Sequence, residues 1–439
     1  MSENKHKYSI PRVKGSQLSC TLVGALSVLL NLRNTAVLLH GTPGCAHYGL
    51  KFCQQMLLRE GEIIHDFHPP RMNFCTTALS EKELIFGGED LLRRKIEETL
   101  AAFPDFPLLV IPSCTVEVIG DDVAGVCGEM SRRTGREVVY FSMGGFLKGD
   151  HYEGINSAYF DLIDRFLAPS SDIDPRRVNL VAERSLMPSA DIDFMEVRRL
   201  LALLGLTINT RFVRNLDFKA LPDVTRAALN LPASTNQSLS VCERLYEKFK
   251  TPYIQEGFPG GFEDTRTWLS VIRDALKLDG DIEGVMAAEK DFFLQEVRRR
   301  GNPFKGLRVI VNTAPLHLGW LVEFLDLVQA DLLEMNILSA GYFEADFLDA
   351  PGGLSCPVNT GMDLEAVMVN NLRKRADVYL QCSSHHAPIP NHQPGLLIRE
   401  VPLFPPVGPR GLLNLFVDWS RWLNFTGVEG WRNESSDNC

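Results

Sequence analysis

The chain has 439 residues, of which 45% are apolar and 23% charged, and its formal net charge is −10. That length is too great for one hydrophobic core and suits two or three domains of ordinary size. The acidic balance excludes nucleic acid as the main partner, because phosphate binding needs a basic face.

The first residues, Met1 to Lys7, are polar and have no signal-peptide core directly behind them. The apolar stretch from Leu18 to Leu32 is broken by Ser19, Thr21, Ser27 and Asn31, so it is too polar to span a membrane. The expected location is cytoplasmic, and there the ten cysteines read as thiols and metal ligands rather than disulfides. Cys20 opens a helix-like apolar run. Ala36 to His40 then predicts a buried strand that runs into the turn Gly41-Thr42-Pro43-Gly44-Cys45. An amphipathic helix is expected over Glu89 to Phe103, followed by a strand over Leu108 to Ile111 that ends at Pro112-Ser113-Cys114. Further strands are expected at Val138–Phe141, Asn179–Ala182, Leu307–Val311 and Asp377–Leu380, with a helix over Arg266–Lys277. Arg298-Arg299-Arg300 reads as a solvated helix end. The dipeptide Gly-Lys does not occur, so no phosphate-binding Walker loop is possible.

Buried strands alternating with helices predict an α/β protein with parallel sheets flanked by helices. Three Rossmann-like units are expected, over 1–170, 171–304 and 305–439, with the polar tail after Asn433 frayed. In such sheets ligands lie beyond the carboxyl ends of the strands. Cys45 and Cys114 both follow strand ends, so their thiols are expected to face one crevice. Asp121 and Asp122, past Gly120, read as solvent-side or helix-capping groups. Gaps of 25 and 69 residues between Cys20, Cys45 and Cys114 match no Cys-x-x-Cys pattern. On spacing alone, packing competes with metal binding for these three, and it is the expectation for Cys53, Cys75, Cys127, Cys242 and Cys439.

Four stretches change that balance. They are Cys20-Thr21-Leu22-Val23-Gly24-Ala25, His40-Gly41-Thr42-Pro43-Gly44-Cys45, Leu84-Ile85-Phe86-Gly87-Gly88, and Ser113-Cys114-Thr115-Val116-Glu117-Val118-Ile119-Gly120-Asp121-Asp122. In content, order and spacing they resemble the nitrogenase component 1 family over the first 155 residues or so. The last stretch resembles the β-type subunit. The resemblance implies that Cys20, Cys45 and Cys114 supply this chain's half of an eight-iron, seven-sulfur P-cluster, with a four-iron, four-sulfur cluster as the alternative. An α-type subunit would complete the site, in an α2β2 assembly served by an ATP-hydrolysing iron protein. Phe86 matches an aromatic residue that the family places on the docking face for that iron protein, and a buried core Phe is the competing reading.

The departures matter as much. The Cys and His that hold the catalytic cofactor in α-type subunits align near Ser234 and Pro402, so neither ligand is present. An extra Ser ligand found in some β subunits aligns at Gly144-Gly145. Cys356, Cys382, His385 and His386 form a possible second set of soft ligands past a strand end. The resemblance implies an electron-relay subunit of a nitrogenase-like reductase. Among these, methylthio-alkane reductase, acting on volatile organic sulfur compounds, fits best. A cofactor-assembly scaffold and a tetrapyrrole reductase subunit are the alternatives.

Overall fold

The apolar runs at 36–40 and 108–112 form the centre of the first sheet. Strands β1 (Ala36–His40) and β3 (Leu108–Pro112) are buried at every position, as strands covered by helices on both faces must be. The structure is a computed structural model that describes residues 19–51, 73–143, 149–183, 190–234, 237–338, 356–362, 376–382, 397–402 and 404–426. β2 (Phe74–Thr76) and β4 (Val138–Tyr140) flank the central pair in the order β2-β1-β3-β4, all parallel. The order reverses between β1 and β3, and at such a switch point a crevice opens beyond the strand ends. The helices of this part are α1 (Thr21–Leu29), α2 (43–51), α3 (Glu81–Phe86), α4 (Glu89–Ala102), α5 (Cys114–Ile119), α6 (Val123–Thr134) and α7 (His151–Phe166).

The second sheet has the order β6-β5-β7, built from β5 (Asp174–Val181), β6 (Thr207–Phe212) and β7 (Ala227–Pro232). The third has the order β10-β9-β8-β11-β12. Its strands are β8 (Arg308–Thr313), β9 (Asp331–Leu338), β10 (Val358–Met362), β11 (Val378–Cys382) and β12 (Leu397–Val401). Every pairing in the three sheets is parallel. The predicted α/β class, with helix-flanked parallel sheets, is the observed one.

The chain forms two compact units, Gly15–Gly257 and Phe258–Cys439. In the first, two sheets share one core: Leu26, Leu39, Ile111 and Phe141 pack in the same cluster as Phe212, Val241 and Leu245. The division between the two units falls at Gly257–Phe258. The helices Gly261–Leu276 and Ile282–Arg300 pack with each other and with the C-terminal helix Gly408–Thr426. Phe262, Phe293, Phe304, Phe324, Phe416 and Trp419 interlock there, edge to face except for the tilted Phe304–Phe416 and Phe304–Trp419 pairs. Among the described residues no helix is long and apolar enough to cross a membrane.

Candidate functional site

β1 and β3 lie side by side with His40 opposite Pro112 at the last rung. Cys45 follows β1 in the first turn of α2, and Cys114 follows β3 as the first residue of α5. Both therefore sit at the switch-point edge of the first sheet. Cys20 immediately precedes α1 and forms an isolated antiparallel bridge with Asp150, the N-cap of α7. Cys20 and Cys45 pack at the margin of the same core, and all three thiols are half-buried. Among the described residues no three His, Cys, Asp or Glu side chains are grouped to hold one metal ion.

The two loops at this edge meet at backbone distance. A Cβ on Gly41 would lie 2.7 Å from Ser113 Oγ, so only glycine allows the approach. Ser113 N–H donates to His40 O at 2.8 Å, and Leu79 N–H donates to Gly41 O at 2.9 Å. Ser113 Oγ is fully buried beside Cys114 and has no hydrogen-bond partner among the described residues. A buried hydroxyl left this way is unusual, and its proton suits a sulfide or thiolate acceptor. Gly44 faces open space, and Tyr48, one turn beyond Cys45, is 53% exposed. The residues present thus fit an inorganic sulfur-rich group held at the edge of this chain.

α1 is carried close to α7. A Cβ on Gly24 would lie 2.0 Å from His151 O, and one on Gly154 would lie 2.0 Å from Thr21 O. Ser19 Oγ and His151 Nδ1 are 2.7 Å apart, and Thr21 Oγ1 donates to Met143 O at 3.2 Å. Burial pushes the His151 pKa down to about 4, against the small opposing pull of Asp150.

Phe86 is 80% exposed and Ile85 73%, at the end of a helix with no buried residue, so Phe86 is not a core residue. Val118 on α5 is equally open. Asp122 caps α6 by accepting from Gly125 N–H, as expected. Asp121 is different: it is a buried group, its side chain 4% exposed and 3.0 Å from His40 Nε2. No sequence pattern marks that pair, because its members lie 81 residues apart.

Of the other cysteines, Cys127 and Cys242 are buried, and burial pushes the Cys127 thiol up to about 12. Cys75 packs against the core of the first sheet. Cys356 is half-buried, and Cys382 ends β11 at the switch point of the third sheet. Near that edge Thr313 Oγ1, His317 Nε2 and Gln381 Oε1 are buried without partners among the described residues. His385, His386, Cys53, Cys439 and Gly144-Gly145 lie outside the described residues. Ser234 Oγ is 3.0 Å from Ser238 Oγ, which in turn donates to Ala182 O.

A family model described as nitrogenase component 1 type oxidoreductase matches residues 20–421. The nitrogenase iron-molybdenum cofactor biosynthesis protein NifE of Clostridium pasteurianum is 29% identical over 281 residues, 64% of this chain and 58% of that protein. The NifE of a Nostoc strain is 27% identical over 327 residues, covering 71% and 65%. The nitrogenase molybdenum-iron protein alpha chain of Methanothermobacter thermautotrophicus is 24% identical over 255 residues, covering 56% and 53%. The chain thus spans less than two thirds of the length of these relatives. The solved structure of nitrogenase Cp1 at pH 6.5 has the same fold, with a TM-score of 0.66 and 17% identity over 95% of this chain and 90% of that one.

Proposed function

The chain belongs to the nitrogenase component 1 type oxidoreductase family, and from that premise we propose that it is a cluster-holding, β-type subunit of a nitrogenase-like reductase. The observation that carries this is the first sheet's switch-point edge. There Cys45 and Cys114 follow adjacent strands, with a buried hydroxyl between their loops that lacks a partner among the described residues. Cys20, Cys45 and Cys114 are the proposed ligands, and an α-type subunit supplies the remaining thiolates. A P-cluster-type iron–sulfur group held there would accept and pass single electrons; a four-iron cluster is the smaller alternative.

This chain's own residues then have definable tasks. The thiols bind, Ser113 donates a hydrogen bond toward sulfur, and the apolar core behind Cys20 and Cys45 excludes water, which together set the potential. Exposed Tyr48 and Gly44 leave the outer side open for the partner subunit. Ile85 and Phe86 offer a contact for an ATP-hydrolysing iron protein. Reduction of substrate falls to the α-type partner, since Ser234 is occupied in hydrogen bonds near the start of the helix Gln237–Phe249. We place the complex in the cytoplasm as an α2β2 assembly. We assign it to volatile organic sulfur compounds, as in methylthio-alkane reductase.

The similarity to NifE favours a second reading, a scaffold on which a cofactor precursor matures. The test begins with iron counted in the co-purified complex of wild type and Cys45→Ala. Undiminished iron in the variant would sink the ligand assignment. The wild-type complex, given iron protein, ATP and reductant, then separates the readings. Turnover of methylthio-alkanes supports the reductase, and delivery of a metal cluster to an apo-protein without turnover supports the scaffold.

A further inference from the structure

A directed hydrogen-bond chain runs from the exposed apolar helix end to the loop of Cys45. Gly88 N–H, two residues past Phe86, reaches both Asp121 oxygens at 3.0 Å. Asp121 Oδ2 lies 3.0 Å from His40 Nε2, and His40 Nδ1 lies 3.0 Å from Thr77 Oγ1. Gly41 N–H donates to Thr77 Oγ1 at 3.1 Å. The direction of each bond follows from chemistry. A carboxylate only accepts, so Nε2 carries the imidazole proton. Burial lowers the His40 pKa despite Asp121, so the ring is neutral and Nδ1 accepts the Thr77 hydroxyl. The other acceptor for that hydroxyl, Gly41 O, is too distant at 3.5 Å to compete. His40 is fully buried, and a Cβ on Gly88 would lie 2.9 Å from both Asp121 Oδ2 and His40 Cε1. The close fit leaves no slack in the chain.

We infer that Asp121 and His40 are positioning residues that lock the Cys45 loop to the Gly87–Gly88 turn, so that a displacement at the Ile85–Phe86 helix end is transmitted to the head of that loop. Asp121 also sits on the same short segment as Cys114 and Val118, so both cysteine loops share the anchor. The inference rests on reading Cys45 as a cluster ligand and Phe86 as a partner contact.

Hydrogen exchange of the co-purified complex tests it without relying on the cluster. In His40→Leu, Gly88 keeps its bonds to Asp121, while the Thr77 hydroxyl that accepts from Gly41 N–H loses the ring nitrogen that orients it. Amides in 41–51 are expected to exchange on the order of tenfold faster, the loss of one buried hydrogen bond, with Gly88 still protected. Asp121→Asn, close to isosteric, removes the carboxylate charge that His40 Nε2–H and Gly88 N–H share and leaves one of these two donors facing an NH2 group. There the cluster's midpoint potential or electron-spin signal is expected to shift at unchanged iron content. Unaltered exchange in 41–51 for both variants overturns the inference, as does an unshifted signal in an iron-loaded Asp121→Asn complex. If exchange rises in His40→Leu while the wild-type complex carries no iron, the link stands and the cluster reading falls.

Discussion

Gly154→Ala is the perturbation whose effect the coordinates fix most tightly. A Cβ at 154 would lie 2.0 Å from Thr21 O and 2.6 Å from Thr21 C and Cα. Carbon and oxygen come no closer than about 3.3 Å without strain, so α1 and α7 must part by about 1.3 Å at this crossing. The obstructing atoms are backbone and cannot rotate away. Overpacking of this kind costs roughly 1–3 kcal/mol, and a rigid obstacle belongs at the upper end. Alanine returns up to about 1 kcal/mol of helix propensity, leaving a net loss of about 2 kcal/mol. Urea denaturation measures it. Gly128→Ala in α6 is the control, because a Cβ there meets only Arg132 Nη1 at 3.5 Å and is expected to be neutral or stabilising. The displaced atoms belong to Thr21, the neighbour of Cys20, so iron in the co-purified complex should fall as well. A Gly154→Ala protein with a wild-type midpoint and full iron would refute the backbone contact between the two helices.

Acid should weaken the fold through His151. Its folded pKa of about 4 lies below the ordinary 6.5, so the unfolded chain protonates first as pH falls. Stability is fully present above pH 6.5 and declines down through pH 4, by roughly 3 kcal/mol from this one group. Urea midpoints at pH 7 and pH 5 should differ less in His151→Gln than in wild type, and equal differences would exclude His151 as the cause. Phe86→Ser should leave stability within about 0.5 kcal/mol, since the ring is exposed. It should raise the concentration of iron protein needed for half-maximal electron delivery. An unchanged requirement removes Phe86 from the contact.

The residues readable from sequence are those whose reasons are local. β1 and β3 are runs of Val, Leu and Ile with a turn behind them, and they appear within one residue of expectation. β2, β6, β7, β9, β10 and β12 are not among the strands the sequence predicts; β2 is only three residues long, and β10, Val-Asn-Thr-Gly-Met, has no apolar run. Gly301-Asn302-Pro303 is turn-forming and lies near the expected end of the second unit. Phe293 on the helix before it and Phe304 after it both pack on Phe416, and Phe304 also packs on Trp419, pairings across more than a hundred residues that no local pattern carries. The same limit hid Asp121. Its neighbour Asp122 does what an Asp before a helix does, whereas Asp121 is claimed by a histidine and a glycine amide from other elements.

The contrast between two sheet edges bears on the division of labour. At the first, the structure leaves Ser113 Oγ buried between two cysteine loops and unanswered among the described residues. At the second, charges close on each other. Glu183, just past β5, receives both Arg211 nitrogens at 2.7 and 2.8 Å, and Asp191 bridges Arg211 and Arg214 at 2.7 Å. Phe194 stacks on Arg211 at 3.9 Å, and Ser234 and Ser238 bond to each other beside Ala182. A buried ion network of this kind is costly to open, because removing one partner strands the other. A large anionic cofactor seated at that edge would have to compete with Glu183 and Asp191 for the same guanidinium groups. The charged groups described at that edge are thus paired with one another, although Gln237 Nε2 beside Ser238 is buried with no partner among the described residues.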